Sequence, residues 1–273
     1  MKLLIAIPLS LLLFSCSELE QKGQVVNVLK EVPKEEVDSN IIPVNKTSLV
    51  VLGTIQDAGS PQIGCTKDCC KDLFDEPDNK RKVVSLGLID TEENKKYLFE
   101  ATPDFVSQVK MLKNYCSFET SEVPDGIFLT HAHIGHYTGL MYLGKEAMNA
   151  DSVPVVTMPK MKGFLQNNGP WSQLVQNGNI ALKGINNKFN IQLSSNITVI
   201  SMLVPHRDEY SETVGYMVVG PSKKALFIPD IDKWNKWDND IKALISEVDY
   251  AFLDATFYDC LLYTSPSPRD RSL

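Results

Sequence analysis

Thr130-His131-Ala132-His133-Ile134-Gly135-His136-Tyr137-Thr138-Gly139-Leu140 gathers three of the chain's four histidines into one short segment, and the fourth is His206. Just upstream, Asp125-Gly126-Ile127-Phe128-Leu129-Thr130 reads as a turn and a short buried strand, and Tyr137 to Asn149 reads as a helix. The histidines therefore fall at the carboxyl end of a strand, where α/β proteins place their chemistry. In extended chain, residues two apart face one side, so His131 and His133 can bring imidazole nitrogens to the same ion. His136, past a turn that Gly135 permits, can face a neighbouring ion or the reaction space. Against a plain surface cluster of histidines, this spacing at a strand end favours metal binding.

The stretch Thr-His-x-His-x-Gly-His resembles the His-x-His-x-Asp-His signature of the metallo-β-lactamase superfamily. Leu52 to Cys70 resembles the first strand and cysteine loop of the branch that contains pyrroloquinoline quinone biosynthesis protein B and phosphonate-pathway phosphodiesterases. The likeness runs from about Leu49 to Asp259 and implies a mixed α/β (α+β) fold, the αββα sandwich of that superfamily. It also implies a metal-dependent hydrolase with a small-molecule substrate, in which water on the metal attacks an ester, phosphodiester or lactam; no protein base is assigned. Zinc is the implied ion. Two alternatives stand beside the hydrolase: an iron-dependent oxidative role like that of the quinone-pathway relative, and a surface-binding protein whose catalytic apparatus has decayed.

Residue by residue, the resemblance gives metal-ligand roles to His131, His133 and His206, the last at the end of the apolar run Leu203-Val204-Pro205. Asp230, closing Leu226-Phe227-Ile228-Pro229, stands where the superfamily has a metal-bridging carboxylate, although an aspartate after a strand is also a common turn former. Asp254 is expected beside the site without being a ligand. Gly135 departs from the pattern, because the superfamily has there an aspartate that ligates the second metal. His136 and a shared Asp230 then remain for that position, and the expectation is one tight active-site ion with the second weak or absent.

Working outward, Ser48 to Gly53 reads as a buried strand, and Val83 to Asp90 with Lys96 to Ala101 as a strand pair around Glu92-Glu93-Asn94. Asp104 to Tyr115 reads as an amphipathic helix. Strands follow at Val153 to Met158, within Ile180 to Met202, and at Thr213 to Val219, Lys224 to Ile228 and Val248 to Asp254. Pro159 to Gly178 reads as a helical excursion bordering the site. Cys65, Cys69 and Cys70 leave two readings open. Cysteines this close in an exported chain suggest a disulfide, while relatives of the branch carry a three-cysteine loop that binds a structural zinc.

The ends read differently. Residues 1–16 combine Lys2, an apolar run from Leu3 to Phe14, and Leu13-Phe14-Ser15-Cys16, which resembles a bacterial lipobox with Cys16 as the acylated residue. The expectation is a protein of the bacterial cell envelope, held to a membrane by lipid. Residues 17–46 read as a flexible tether and 47–259 as the domain. Residues 260–273 resemble one reading frame of a sequencing adapter, so the domain is expected to be C-terminally truncated; the superfamily pattern continues with a final metal histidine, and none follows His206. With 273 residues, 43% of them hydrophobic, the chain can bury one sizeable core. A net charge of -7 argues against a nucleic-acid surface, which needs clustered Lys and Arg.

Overall fold

A computed structural model describes residues 41–255 of the chain. Cys16, most of the tether, and residues 256–273 with the adapter-like stretch lie outside the described residues. The first sheet contains β1 (Ser48–Gly53), β2 (Ser85–Asp90), β3 (Lys95–Phe99), β4 (Gly126–Phe128), β5 (Val153–Thr157) and β6 (Ile180–Gly184), in that spatial order. The second contains β7 (Asn190–Gln192), β8 (Thr198–Leu203), β9 (Val214–Val219), β10 (Lys224–Ile228) and β11 (Tyr250–Leu253), in the order β11-β10-β9-β8-β7. Strands β1 to β3 pair antiparallel and β3 to β6 parallel.

Side-chain alternation assembles the layers. In β3, Tyr97 and Phe99 face the second sheet while Leu98 faces the helices, and in β4 Phe128 and Ile127 divide in the same way. Opposite them, Val214, Tyr216 and Val218 of β9 and Phe227 of β10 complete the core between the sheets. At its centre Phe99 stacks on Phe128 at 4.8 Å, and Tyr216 meets both rings edge-on at 5.6 and 5.5 Å. The outer face of the first sheet is covered by α2 (Phe105–Tyr115), α4 (Pro159–Asn167) and α5 (Trp171–Gln176), through Phe105, Leu112, Met161, Leu165 and Leu174. On the second sheet, α6 (Ile241–Ser246) sets Ile241 and Leu244 against Leu226 and Ile228. The result is an αββα sandwich, as the sequence led one to expect. No helix among the described residues is long and apolar enough to cross a membrane.

One expectation needs correction, and two others gain detail. Near the start of the described residues, the Val44 amide donates to the Tyr115 carbonyl at 2.8 Å, which sets this end of the expected tether beside α2. The helix expected over Tyr137 to Asn149 is instead the short α3 (Ile134–Tyr137) followed by a 3-10 helix, Thr138–Leu143. The cause is tertiary. The His136 carbonyl accepts from the Ala101 amide at 2.9 Å and the Gly139 amide donates to the Ala101 carbonyl at 2.8 Å, so the chain is tied to the end of β3 and cannot complete an α-helical ladder. The excursion over Pro159 to Gly178 is two helices, parted at Gly169-Pro170 because proline supplies no amide to continue α4.

The cysteine loop ends in α1 (Asp68–Lys71), where Cys65 and Cys70 are disulfide-bonded and the Cys69 sulfur lies 3.8 Å from that of Cys70. The same three sulfurs lie close enough together to hold a metal ion, so both readings of the loop are compatible with its geometry.

Candidate metal centre

The centre lies where the ends of both sheets meet. Leaving β4, the chain enters Thr130 to His133, held in place by the Thr130 carbonyl accepting from Val214 and by the Ala132 amide donating to the Ser211 hydroxyl at 2.8 Å. Beneath it, the Tyr216 hydroxyl donates to the Leu129 carbonyl at 2.6 Å. His206 follows β8 and Asp230 follows β10, and their loops are joined by the Asp232 amide donating to the Pro205 carbonyl at 2.8 Å. Asp254 stands behind Asp230: its carboxylate accepts from the Ile231 amide at 3.2 Å, and its own amide donates to Ile228.

Four donor atoms converge. His131 Nε2 lies 2.8 Å from His133 Nδ1, which is 3.2 Å from His206 Nε2. Asp230 Oδ2 is 3.3 Å from His131 Nε2 and 3.4 Å from His206 Nε2. A tetrahedral zinc with bonds of about 2.0–2.1 Å needs ligand atoms roughly 3.3–3.4 Å apart; these four separations come near that, and all four atoms lie within 4.8 Å of one another. The far sides of two rings have partners that can take their protons. His133 Nε2 meets the Glu209 carboxylate at 2.9 Å, an acceptor that requires the proton on Nε2 and leaves the Nδ1 lone pair facing inward. The Thr130 hydroxyl sits 2.8 Å from His131 Nδ1 and can accept its proton, freeing Nε2.

Electrostatics favour a cation. Burial, reinforced by the neighbouring His136, holds His131 well below the ordinary histidine range, and burial also lowers His133. Both rings are therefore neutral at pH 7, as a cation would require of them. Burial opposes the charge of Asp230, but contacts with His131, His136 and His206 outweigh it and hold the carboxyl well below the usual carboxylate range.

His136 stands apart from this set. It is fully buried, with Nε2 3.4 Å from Asp230 Oδ2 and Nδ1 3.4 Å from Glu100 Oε2, and neither ring nitrogen makes a hydrogen bond. Burial disfavours its charged form, yet the charges of Glu100 and Asp230 prevail and raise its pKa to about 10. Glu100, itself buried, adopts a left-handed backbone conformation with φ of 77° just past β3, and burial pushes its carboxyl up.

The four converging residues His131, His133, His206 and Asp230 were all named from the sequence, whereas Thr130, Glu209 and Glu100, which touch the histidines, and Asp57, which lies against Gly135, were not. Thr130 adjoins the motif and could have been read as a ring-orienting hydroxyl. Glu100 and Glu209 reach the centre through backbone conformation or contacts remote in sequence.

Residues 95–267, more than half of the chain, match the family model described as beta-lactamase superfamily domain. The chain belongs to the metallo-β-lactamase superfamily. Among solved structures, this superfamily member is similar to zinc-bound PqqB from Methylobacterium extorquens, with 20% identity, a TM-score of 0.61, and coverage of 76% of this chain and 72% of that one. A diphosphatase of the PhnP family shares 23% identity over 69% of this chain and 68% of its own, with a TM-score of 0.48. Among curated proteins, none matches by sequence. The likeness to PqqB is one of fold.

Proposed function

We propose that this chain is a metal-dependent hydrolase of a small-molecule ester, phosphodiester or lactam, with zinc held by His131, His133, His206 and Asp230. The observation that carries the reading is the convergence of three imidazole nitrogens and one carboxylate oxygen, all within 4.8 Å of one another and 2.8–3.4 Å apart along the path from His133 through His131, Asp230 and His206, with a carboxylate acceptor for the His133 proton on the far side of its ring. When bound, a zinc ion supplies Lewis-acid polarisation and a water made acidic near neutral pH. The residues supply the rest. Thr130 and Glu209 hold the rings, Asp254 steadies the loop bearing Asp230, and the Asp230 charge offsets part of that of the ion.

Substrate would enter past the α4–α5 excursion, which packs on the loop after His206: Phe164 meets Tyr210 at 5.8 Å, and the Glu212 carboxylate accepts from the Lys160 amide at 2.9 Å. That border is where specificity would reside. A second reading is an iron-dependent oxidative role, since the same histidine and carboxylate donors also suit iron. A decayed surface-binding protein fits less well, because the donor atoms and their orienting partners are intact.

The test is metal analysis of the purified chain together with a hydrolysis screen over phosphodiesters, esters and lactams. Zinc content and hydrolysis that both vanish in His131→Ala support the hydrolase. Iron content without hydrolysis, or no bound metal, would refute it. We further propose that the protein is anchored in the bacterial envelope through acylated Cys16; Cys16→Ser should shift it from membranes to the soluble fraction, and unchanged membrane association would overturn the anchor.

A further inference from the structure

Gly135 replaces the aspartate that in this superfamily serves a second metal, and by sequence alone that position lacks a carboxylate. The space beside it is filled. A Cβ built on Gly135 would lie 2.3 Å from the Asp57 Cβ, 2.7 Å from its Cα and 2.8 Å from its carbonyl oxygen. Backbone atoms at those distances leave no room for any side chain at position 135, whatever its chemistry. Asp57 instead roots its own side chain where the side chain of residue 135 would begin. The loop after β1 makes this approach through a turn, with the Gly59 amide donating to the Gln56 carbonyl at 3.0 Å and Gly59 in the left-handed region at φ 79°. Ile55 anchors the turn on the other side, its amide donating to Lys82 and its carbonyl accepting from Val84.

A second observation points to a ligand at this place. His136, adjoining Gly135 in the chain, is fully buried, and its two ring nitrogens make no hydrogen bond. Nε2 faces Asp230 Oδ2, the atom that also faces His131 and His206, while Nδ1 faces Glu100. An imidazole lined up between a shared carboxylate and a buried carboxylate behind it has the arrangement of a metal-bound histidine with its orienting acid. Resting on the metal-centre reading above, we propose that Asp57 supplies the carboxylate position 135 lacks, so that His136, Asp57 and Asp230 hold a second cation beside the first. This revises the expectation of a weak second site: the anionic ligand has moved to another loop rather than vanished, and the added negative charge offsets the repulsion between two dications.

The test is titration of the full chain with Mn(II), which oxygen and imidazole ligands accept and thiolates bind poorly, keeping the cysteine loop out of the count. Bound ions are counted against free Mn(II) by electron paramagnetic resonance, and a neighbouring pair is identified by its exchange-coupled spectrum. The wild type should bind two ions with a coupled signal. Asp57→Asn, nearly isosteric, should weaken the second ion at least tenfold and abolish the coupled signal, with thermal unfolding of the metal-free protein unchanged. In Asp57→Ala, added formate should restore the pair by filling the vacated carboxylate position. A single ion in the wild type, or a coupled pair persisting undiminished in Asp57→Asn, overturns the role of Asp57 while leaving the first site standing. No binding at all removes the metal-centre reading with it.

Discussion

Burial alone would keep the His136 ring neutral, yet Glu100 and Asp230 on its two sides raise its pKa to about 10. The sign of the proton linkage follows. A ring that is protonated at pH 8 must lose that proton to bind a cation, whereas His131 and His133, lowered by burial, are already deprotonated there. Loading the full centre at pH 8 should therefore release about one proton through His136, and the release should fade as pH rises past about 10. Calorimetry in buffers of different ionisation enthalpy measures it. Equal proton release by wild type and His136→Ala would show that the ring takes no part in cation binding. The candidate ligand residues were legible because the motif packs His131, His133 and His136 into one stretch and His206 and Asp230 each close an apolar strand. Glu100 and Asp57 were not. A glutamate in the left-handed region after β3 carries no sequence mark, and the approach of Asp57 to Gly135 joins segments far apart in the chain.

Among the elements, those defined by local pattern matched their expected bounds: β1 and β10 span Ser48–Gly53 and Lys224–Ile228, both apolar runs ended by turn residues. The segment after His136 failed because its helical pattern is overridden by two hydrogen bonds, the Ala101 amide donating to His136 and the Gly139 amide donating to Ala101. Gly139 is the key to that contact. A Cβ there would stand 2.3 Å from the Thr102 carbonyl oxygen, 2.6 Å from the Phe105 Cβ and 2.9 Å from the Ala101 carbonyl carbon. Two of these are backbone atoms that cannot swing aside. Gly139→Ala should thus destabilise the protein by about 1–3 kcal/mol through overpacking, lowering the melting temperature by several degrees. It should also weaken cation binding, because the same backbone ties position His136. A variant as stable as the wild type would mean that the 3-10 segment yields more easily than its contacts suggest.

At the scale of the whole molecule, the centre is a joint between sheets. His131, His133 and His136 follow β4 of the first sheet, while His206 and Asp230 follow β8 and β10 of the second. No single sheet can assemble the ligand set, so a cation bound there favours only the docked sandwich and stabilises it by mass action. At a free-ion concentration 100 times the dissociation constant that linkage is worth about 2.7 kcal/mol. The aromatic cluster of Phe99, Phe128 and Tyr216 lies between the sheets, with the Tyr216 hydroxyl bonded to Leu129 at the entrance to the motif, so packing and the proposed ligation would hold the same joint. Removing metal with a chelator should therefore lower the unfolding temperature, by an amount that grows with the zinc concentration used for comparison. In His131→Ala the ion is lost beforehand, and the chelator should then have little further effect beyond any zinc at the cysteine loop. A chelator-induced drop in His131→Ala as large as in the wild type would place the stabilising metal elsewhere, and the two sheets would then be held by their apolar core alone.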